Sequence, residues 1–386
     1  MKVGKTFERL SEDWKGLNRI VVFGFGKMGR GNIDALISRF EIAKIIDNNK
    51  DLSGQSYKGI EIVDFLTYDG SGIKEKIVVV TSGNRYDSIS EELEAKGYKE
   101  DIDFCDFVTF CNDYFWNDRN ELFLGRLTFN ITTFCTLNCK NCTMLTPYNK
   151  NKKHFAIDRI KADVELTFDM VDYVSNFLVL GGEPFLHKEL NEFLCYIGER
   201  YRNNIGNLQI ITNGTLVPSE ELLRTIKKYN VEVRISDYTK RVHYDEKLET
   251  FCKGLEAYQI DYVSYGHDEW LDMGFPDGNV NMGDTEEELH RHMLKCNPNC
   301  QNVSEGKLYY CAQGWAAQQS GLFQLRSSDY LDLEYIRNAA DKKDRFRRFY
   351  FGELEEGYFS FCKVCRGWDT DITIPGGIQY DREERD

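Results

Sequence analysis

The sequence predicts an α/β fold, and three observations carry that prediction. Residues 20–47 read as strand, glycine turn, helix and strand; from Arg126 to Tyr265 strands and helices alternate again; and the cysteines beyond residue 291 gather outside any such alternation. The expected division is 1–118, 119–290 and 291–386.

In the first part, Ile20 to Phe23 form an apolar strand, and Ile33, Leu36, Ile37 and Phe40 share one helical face before a second strand ends at Asp47. The turn reads Gly24-x-Gly26-x-x-Gly29, and Asp47 lies 18 residues after Gly29. Such glycines let a phosphate approach backbone N–H groups at a helix N-terminus, with the acidic residue on a ribose hydroxyl. A nucleotide, a nucleotide-linked sugar or NAD is one reading of Gly24, Gly26, Gly29 and Asp47; a tight strand-to-helix crossing is the other. A further strand and a helix closed by Gly97 follow.

In the second part, "RLTFNITT" is a strand, followed by a cysteine loop and a helical stretch at 163–174. Strand "FLVLGG", a helix with Leu190, Phe193, Leu194, Ile197 and Tyr201 on one face, strand "LQIITNG", helix "PSEELLRTIKKY" and strands "VEVRIS" and "IDYVSY" complete it. This is the pattern of a parallel sheet or β/α barrel, whose chemistry gathers at the C-terminal strand ends. The cysteine loop sits at one of them.

That loop, "CTLNCKNC", supplies three thiols at Cys135-x3-Cys139-x2-Cys142. Structural zinc takes four protein ligands, whereas an iron–sulfur cube on three thiolates leaves one iron open. Zinc stays possible on spacing, with His154 completing a Cys3His set. Twelve cysteines in a chain whose opening "MKVGKTFERLSEDWKG" lacks a signal-like apolar core suit a reducing cytoplasm and metal ligation better than disulfides.

The cysteine triplet followed by "GGEP" (Gly181 to Pro184) after the next strand resembles the radical S-adenosylmethionine superfamily. The resemblance implies a partial (β/α)6 TIM-type barrel and a [4Fe-4S] cluster on Cys135, Cys139 and Cys142, with S-adenosyl-L-methionine chelating the open iron. It implies reductive cleavage to a 5'-deoxyadenosyl radical that takes hydrogen from an unactivated C–H bond, and a low-potential electron donor such as flavodoxin or ferredoxin. Gly181, Gly182, Glu183 and Pro184 would face the methionyl amine, and Asn213 of "TNG" and Ser236 would contact ribose or carboxylate. Asn141 replaces the aromatic residue usual before the third cysteine, so only a backbone contact is expected there.

Cys296-x9-Gly306-x4-Cys311, with Cys362-x2-Cys365, resembles the twitch module, a short relative of the SPASM module, and implies one auxiliary [4Fe-4S] cluster. Its four ligands come from Cys296, Cys300, Cys311, Cys362 and Cys365; Cys296 fits the spacing better than Cys300, and a zinc ribbon is the alternative. Cys105, Cys111, Cys195 and Cys252 read as incidental thiols, and His187 and His267 as solvated or capping residues. The first part resembles the Rossmann-like module of some sugar-modifying proteins.

A net charge of −14 argues against a nucleic-acid partner, and no run of apolar residues reaches membrane-span length. The expected protein is a cytoplasmic, oxidoreductase-type radical enzyme acting on a carbohydrate or nucleotide-linked sugar. A ribosomal-peptide maturase and a zinc-stabilised binding protein are the alternatives. The tail "GGIQYDREERD" is expected to be solvated and to hold no site.

Overall fold

The computed structural model describes residues 10–68, 75–81, 83–296 and 300–380. It comprises two compact units: Met1–Gly125 with Val171–Ser175 and Asn203–Asn207, and Arg126–Met170 with Asn176–Arg202 and Leu208–Asp386. Among the described residues no helix is long and apolar enough to cross a membrane.

In the first unit, strands β1 (Arg19–Phe23), β2 (Glu41–Ile46), β3 (Ser56–Tyr57), β4 (Ile60–Val63), β5 (Ile77–Val79) and β6 (Phe104–Asp106) form a sheet ordered β3-β4-β2-β1-β5-β6. All its pairs are parallel except β3 with β4. The order reverses at β1, as in an open doubly wound sheet. The glycine turn follows β1. A Cβ on Gly24 would lie 2.5 Å from the Val80 carbonyl oxygen, and one on Gly29 would lie 2.0 Å from that of Gly24. Packing alone therefore requires these two glycines, while a Cβ on Gly26 would meet nothing within 4 Å. The Asp47 carboxylate accepts from Phe25 N at 2.6 Å and from Asn49 N at 2.8 Å, so it pins the turn. β7 (Phe123–Leu124) pairs in parallel with Tyr173 and Val174, and Phe123 stacks between Phe115 and Tyr173 in an aromatic core.

The second unit holds β8 (Leu127–Asn130), β9 (Tyr173–Leu180) from Asn176 on, β10 (Ile205–Thr212) from Leu208 on, β11 (Val231–Asp237) and β12 (Tyr262–Gly266). Helices Ile157–Phe168, Leu190–Arg200, Glu220–Lys228 and Asp245–Ala257 alternate with them. Local chemistry explains each boundary well in the third helix. Ser219 caps it by accepting from Leu222 N, Glu220 and Glu221 fill its first turn, and Lys227 and Lys228 its last. Leu222, Leu223 and Ile226 are the buried face.

After β12 the expected sixth barrel strand is absent among the described residues. The stretch 272–285 is polar and glycine-rich with no periodic apolar face, so it cannot supply another strand and helix of the series. Instead β13 (Glu269–Leu271) pairs antiparallel with β17 (Thr373–Pro375), and the chain crosses to the other sheet edge. There β14 (Asn302–Ser304) pairs in parallel with β8, and β15 (Lys307–Tyr309) and β16 (Tyr330–Asp332) add antiparallel strands. The sheet runs β12-β11-β10-β9-β8-β14-β15-β16, so the expected separate module at 291–386 is continuous with the barrel. The expected boundary at residue 118 falls at Gly125. Asp163 fastens this extension: its buried carboxylate accepts from Glu305 N at 2.8 Å and Gly306 N at 2.7 Å at the β14–β15 turn.

Candidate functional site

The cysteine loop opens from the C-terminal end of β8 into a cavity of about 470 Å³. Cys135, Cys139 and Cys142 all line it, together with Gly181 and Gly182 after β9, Thr212 and Asn213 at the end of β10, and Ser236 and Tyr238 from β11 and the turn beyond it. This is the gathering at strand ends that the sequence predicts.

Backbone contact explains the two glycines. Gly182 N donates to the Thr132 carbonyl at 2.9 Å and Glu183 N to that of Phe134 at 2.8 Å, which presses the end of β9 against the cysteine loop. A Cβ on Gly182 would lie 2.2 Å from the Phe134 carbonyl oxygen, and one on Gly181 would lie 2.5 Å from that of Thr132. Gly182→Ala is therefore expected to push the cysteine loop out of place and to destabilise the protein by about 1–3 kcal/mol through overpacking. Urea denaturation measures this, and wild-type stability would refute it.

Glu183 departs from expectation. Its side chain does not line the cavity; it is fully buried, accepting from Thr212 Oγ1 at 2.9 and 3.0 Å, Asn213 N at 2.8 Å and Phe185 N at 3.1 Å. Burial pushes its carboxyl up to about 7 despite these bonds. It staples the ends of β9 and β10 and leaves any ligand contact to the backbone. Pro184 likewise starts a buried 3-10 turn rather than lining the cavity. Asn141 adopts a left-handed conformation (φ 59°) in the turn between the second and third cysteines and is also outside the cavity lining. Asn213 lines the cavity, its Nδ2 3.6 Å from Cys135 Sγ and 3.0 Å from Thr136 Oγ1.

Of the histidines, His187 caps as expected, while His154 and His267 sort differently. His154 packs its ring against Phe134 and His187 and bridges to Thr132, away from the cysteine set. His187 is a buried cap, its Nδ1 accepting from Glu189 N at 3.2 Å and its Nε2 2.9 Å from the Phe155 carbonyl. His267, expected to be solvated or capping, lines the cavity beside Tyr238, and burial holds it below its ordinary value. Arg126, Trp270, Gln313 and Trp368 also line the cavity and carry no motif. Strand alternation through "RLTFN" could have put Arg126 and Thr128 on one inward face.

The tail was misjudged. Gln379 forms an antiparallel bridge with Cys139, Lys140 N donates to the Ile378 carbonyl at 2.6 Å, and Tyr380 N donates to that of Asn138 at 2.9 Å. Residues 381–386 lie outside the described residues. A charge-rich tail hides such a strand because its partner lies 240 residues away.

Of the five later cysteines, Cys296, Cys311, Cys362 and Cys365 line one small cavity, while Cys300 lines the large one. Cys300 and Cys311 stay adjacent, Sγ to Sγ 4.0 Å, and the shared hydrogen bond holds the Cys300 thiol below its ordinary value. Burial raises Cys296 and Cys365 to about 12 and Cys362 well above its ordinary value.

Among the described residues no three His, Cys, Asp or Glu converge where a single metal ion could be held. A cube spreads its thiolates over separate irons. Three thiols on one cavity wall, with glycine-edged strand ends beside them, fit the cube.

Residues 129–250 match the family model described as "Radical SAM superfamily". A stretch of 119 residues is 31% identical to the antilisterial bacteriocin subtilosin biosynthesis protein AlbA of Bacillus subtilis (strain 168), covering 30% of this chain and 25% of AlbA. The GTP 3',8-cyclase of Campylobacter jejuni subsp. doylei is 26% identical over 152 residues, 37% of this chain and 46% of the cyclase. The chain thus spans less than half the length of either relative. Among solved structures, BtrN in complex with AdoMet and 2-DOIA is similar with a TM-score of 0.39 and 14% identity, over 67% of this chain and 98% of BtrN.

Proposed function

We propose, taking as premise that residues 129–250 are a radical SAM superfamily segment, that the chain is a radical enzyme that takes hydrogen from a carbon of a carbohydrate or cyclitol. The observation that carries this is the opening of Cys135, Cys139 and Cys142 into one cavity with the ends of β9, β10 and β11. These three cysteines would hold a [4Fe-4S] cluster, and the Gly181–Gly182 edge, Asn213 and Ser236 would hold S-adenosylmethionine. When bound, the pair supplies a primary carbon radical able to attack an unactivated C–H bond.

The rest falls to this chain's own residues. Trp270 and Trp368 offer ring faces to the apolar side of a sugar, while Arg126, Glu269 and Gln313 offer polar groups to its hydroxyls. His267, held neutral by burial, can accept a hydroxyl proton at a ring nitrogen if the reaction is an oxidation. The shared cavity of Cys296, Cys311, Cys362 and Cys365 supports these four as auxiliary-cluster ligands, with Cys300 turned to the substrate side.

A ribosomal-peptide substrate is the second reading, favoured by the similarity to AlbA. Reduced, anaerobically reconstituted protein incubated with S-adenosylmethionine and C-deuterated cyclitols, hexoses or peptides separates the readings. Deuterium in 5'-deoxyadenosine from a sugar or cyclitol is expected. Transfer from peptides alone selects the second reading, and zinc without sulfide in the purified protein overturns both.

A further inference from the structure

We propose that Gln379 is a positioning residue that donates a side-chain N–H to the Cys139 sulfur and thereby sets the potential of the cluster on the Cys135–Cys142 loop. The inference rests on the radical SAM reading of that loop.

Every polar atom of the Gln379 side chain is engaged. Its Nε2 donates to Cys139 Sγ at 3.0 Å and to the Gly377 carbonyl at 2.8 Å, and its Oε1 accepts from Asn138 N at 2.6 Å. The amide thus cannot rotate without losing bonds on both sides. The surrounding backbone fixes it independently: Lys140 N donates to Ile378 O and Tyr380 N to Asn138 O, flanking the glutamine on either side. Tyr380 OH lies 2.8 Å from Tyr148 OH, beyond the third cysteine, and the Lys140 ammonium lies over the Tyr380 ring at 4.9 Å. On the far side, Gly377 packs against Tyr238, which lines the cavity; a Cβ there would lie 3.0 Å from the Tyr238 ring. The segment therefore lies along the cysteine loop through one antiparallel bridge and its flanking backbone bonds, with one side chain aimed at one of the three sulfurs.

Hydrogen bonds to ligand sulfurs stabilise the more negative, reduced form of an iron–sulfur cluster and are among the levers that set its potential. Two of the three thiolates would carry such a bond from outside the loop, Cys139 from Gln379 at 3.0 Å and Cys135 from Asn213 at 3.6 Å. Removing the donor should lower the potential while the backbone ladder holds the loop.

The test compares wild type, Gln379→Leu and Gln379→Glu as full-length reconstituted protein without S-adenosylmethionine. Redox titration follows the cluster whose EPR signal shifts when S-adenosylmethionine is later added, and hydrogen exchange follows amides 138–142. Gln379→Leu is expected to bias the cluster at least threefold toward its oxidised form, a fall of about 30 mV at 59 mV per decade. Gln379→Glu keeps an acceptor for Asn138 N but loses the donor, so it should also lower the potential with exchange near wild type. An unchanged potential in either variant overturns the inference while leaving the family reading intact. A lowered potential in Gln379→Leu accompanied by full loss of protection at 138–140 in both variants also overturns it, because the residue would then hold only the loop. Wild-type protein that assembles no cluster overturns both readings.

Discussion

On the proposed function, Cys139→Ala protein is expected to keep its fold, to cleave no S-adenosylmethionine above assay background and to lose iron and sulfide. The thiol is one of three that open into the cavity, and no fourth ligand stands ready to replace it: His154 is packed against Phe134 and His187. Two remaining thiolates would leave two irons of a cube without a protein ligand. Burial raises the thiols of Cys135 and Cys139 to about 12, so at neutral pH the metal-free protein carries them protonated. Cluster loading must release those protons and is therefore more complete at pH 8.5 than at pH 7. Iron and sulfide analysis with 5'-deoxyadenosine quantitation checks the first outcome, and Cys252→Ser, remote from both cavities' linings, serves as the unaffected control. Equal cluster content in Cys139→Ala and wild type would discard the assignment.

Glu183→Ala destabilises the second unit by about 3–5 kcal/mol, because each buried donor left without its partner costs about 1–3 kcal/mol. Phe185 N, Thr212 Oγ1 and Asn213 N are those donors. Glu183→Gln, which keeps an acceptor, is expected to lose less. Its pH profile has a definite sign. The folded carboxyl sits at about 7 against an ordinary 4.5, so between these values the folded state holds the proton more tightly than the unfolded chain. The stability this contributes is full below about pH 4.5 and is lost as pH rises to about 7. Wild type should therefore lose stability relative to Glu183→Gln across that window, with a flat difference above it. Urea denaturation at stepped pH reads this directly; parallel curves would show that the carboxyl does not titrate there.

Local pattern exposed what local chemistry determines. The cysteine spacing, the glycine pair after β9 and the alternation of strands and helices each follow from a few neighbouring residues, and the structure assembles them at one set of strand ends. Residues whose role is set across the fold were harder to read. Glu183 looks like a ligand-facing carboxylate in "GGEP", but a tertiary partner, the Thr212–Asn213 turn, claims both its oxygens. The sixth strand failed because the sheet's next neighbour is β14, reached over the far edge rather than by another βα step. Gln379 was invisible for the same reason, since a charged stretch reads as solvated until its distant pairing partner is known.

The separation between Gln379 and Cys139 also has a meaning in time. Residue 379 is synthesised 240 residues after Cys139, which at ribosomal speed is roughly 12–48 s. For that interval Cys139 lacks its Gln379 partner. Once residues 378–380 are made, their bonds to residues 138–140 can form, so the loop meets a cluster without that cover during translation and with it afterwards.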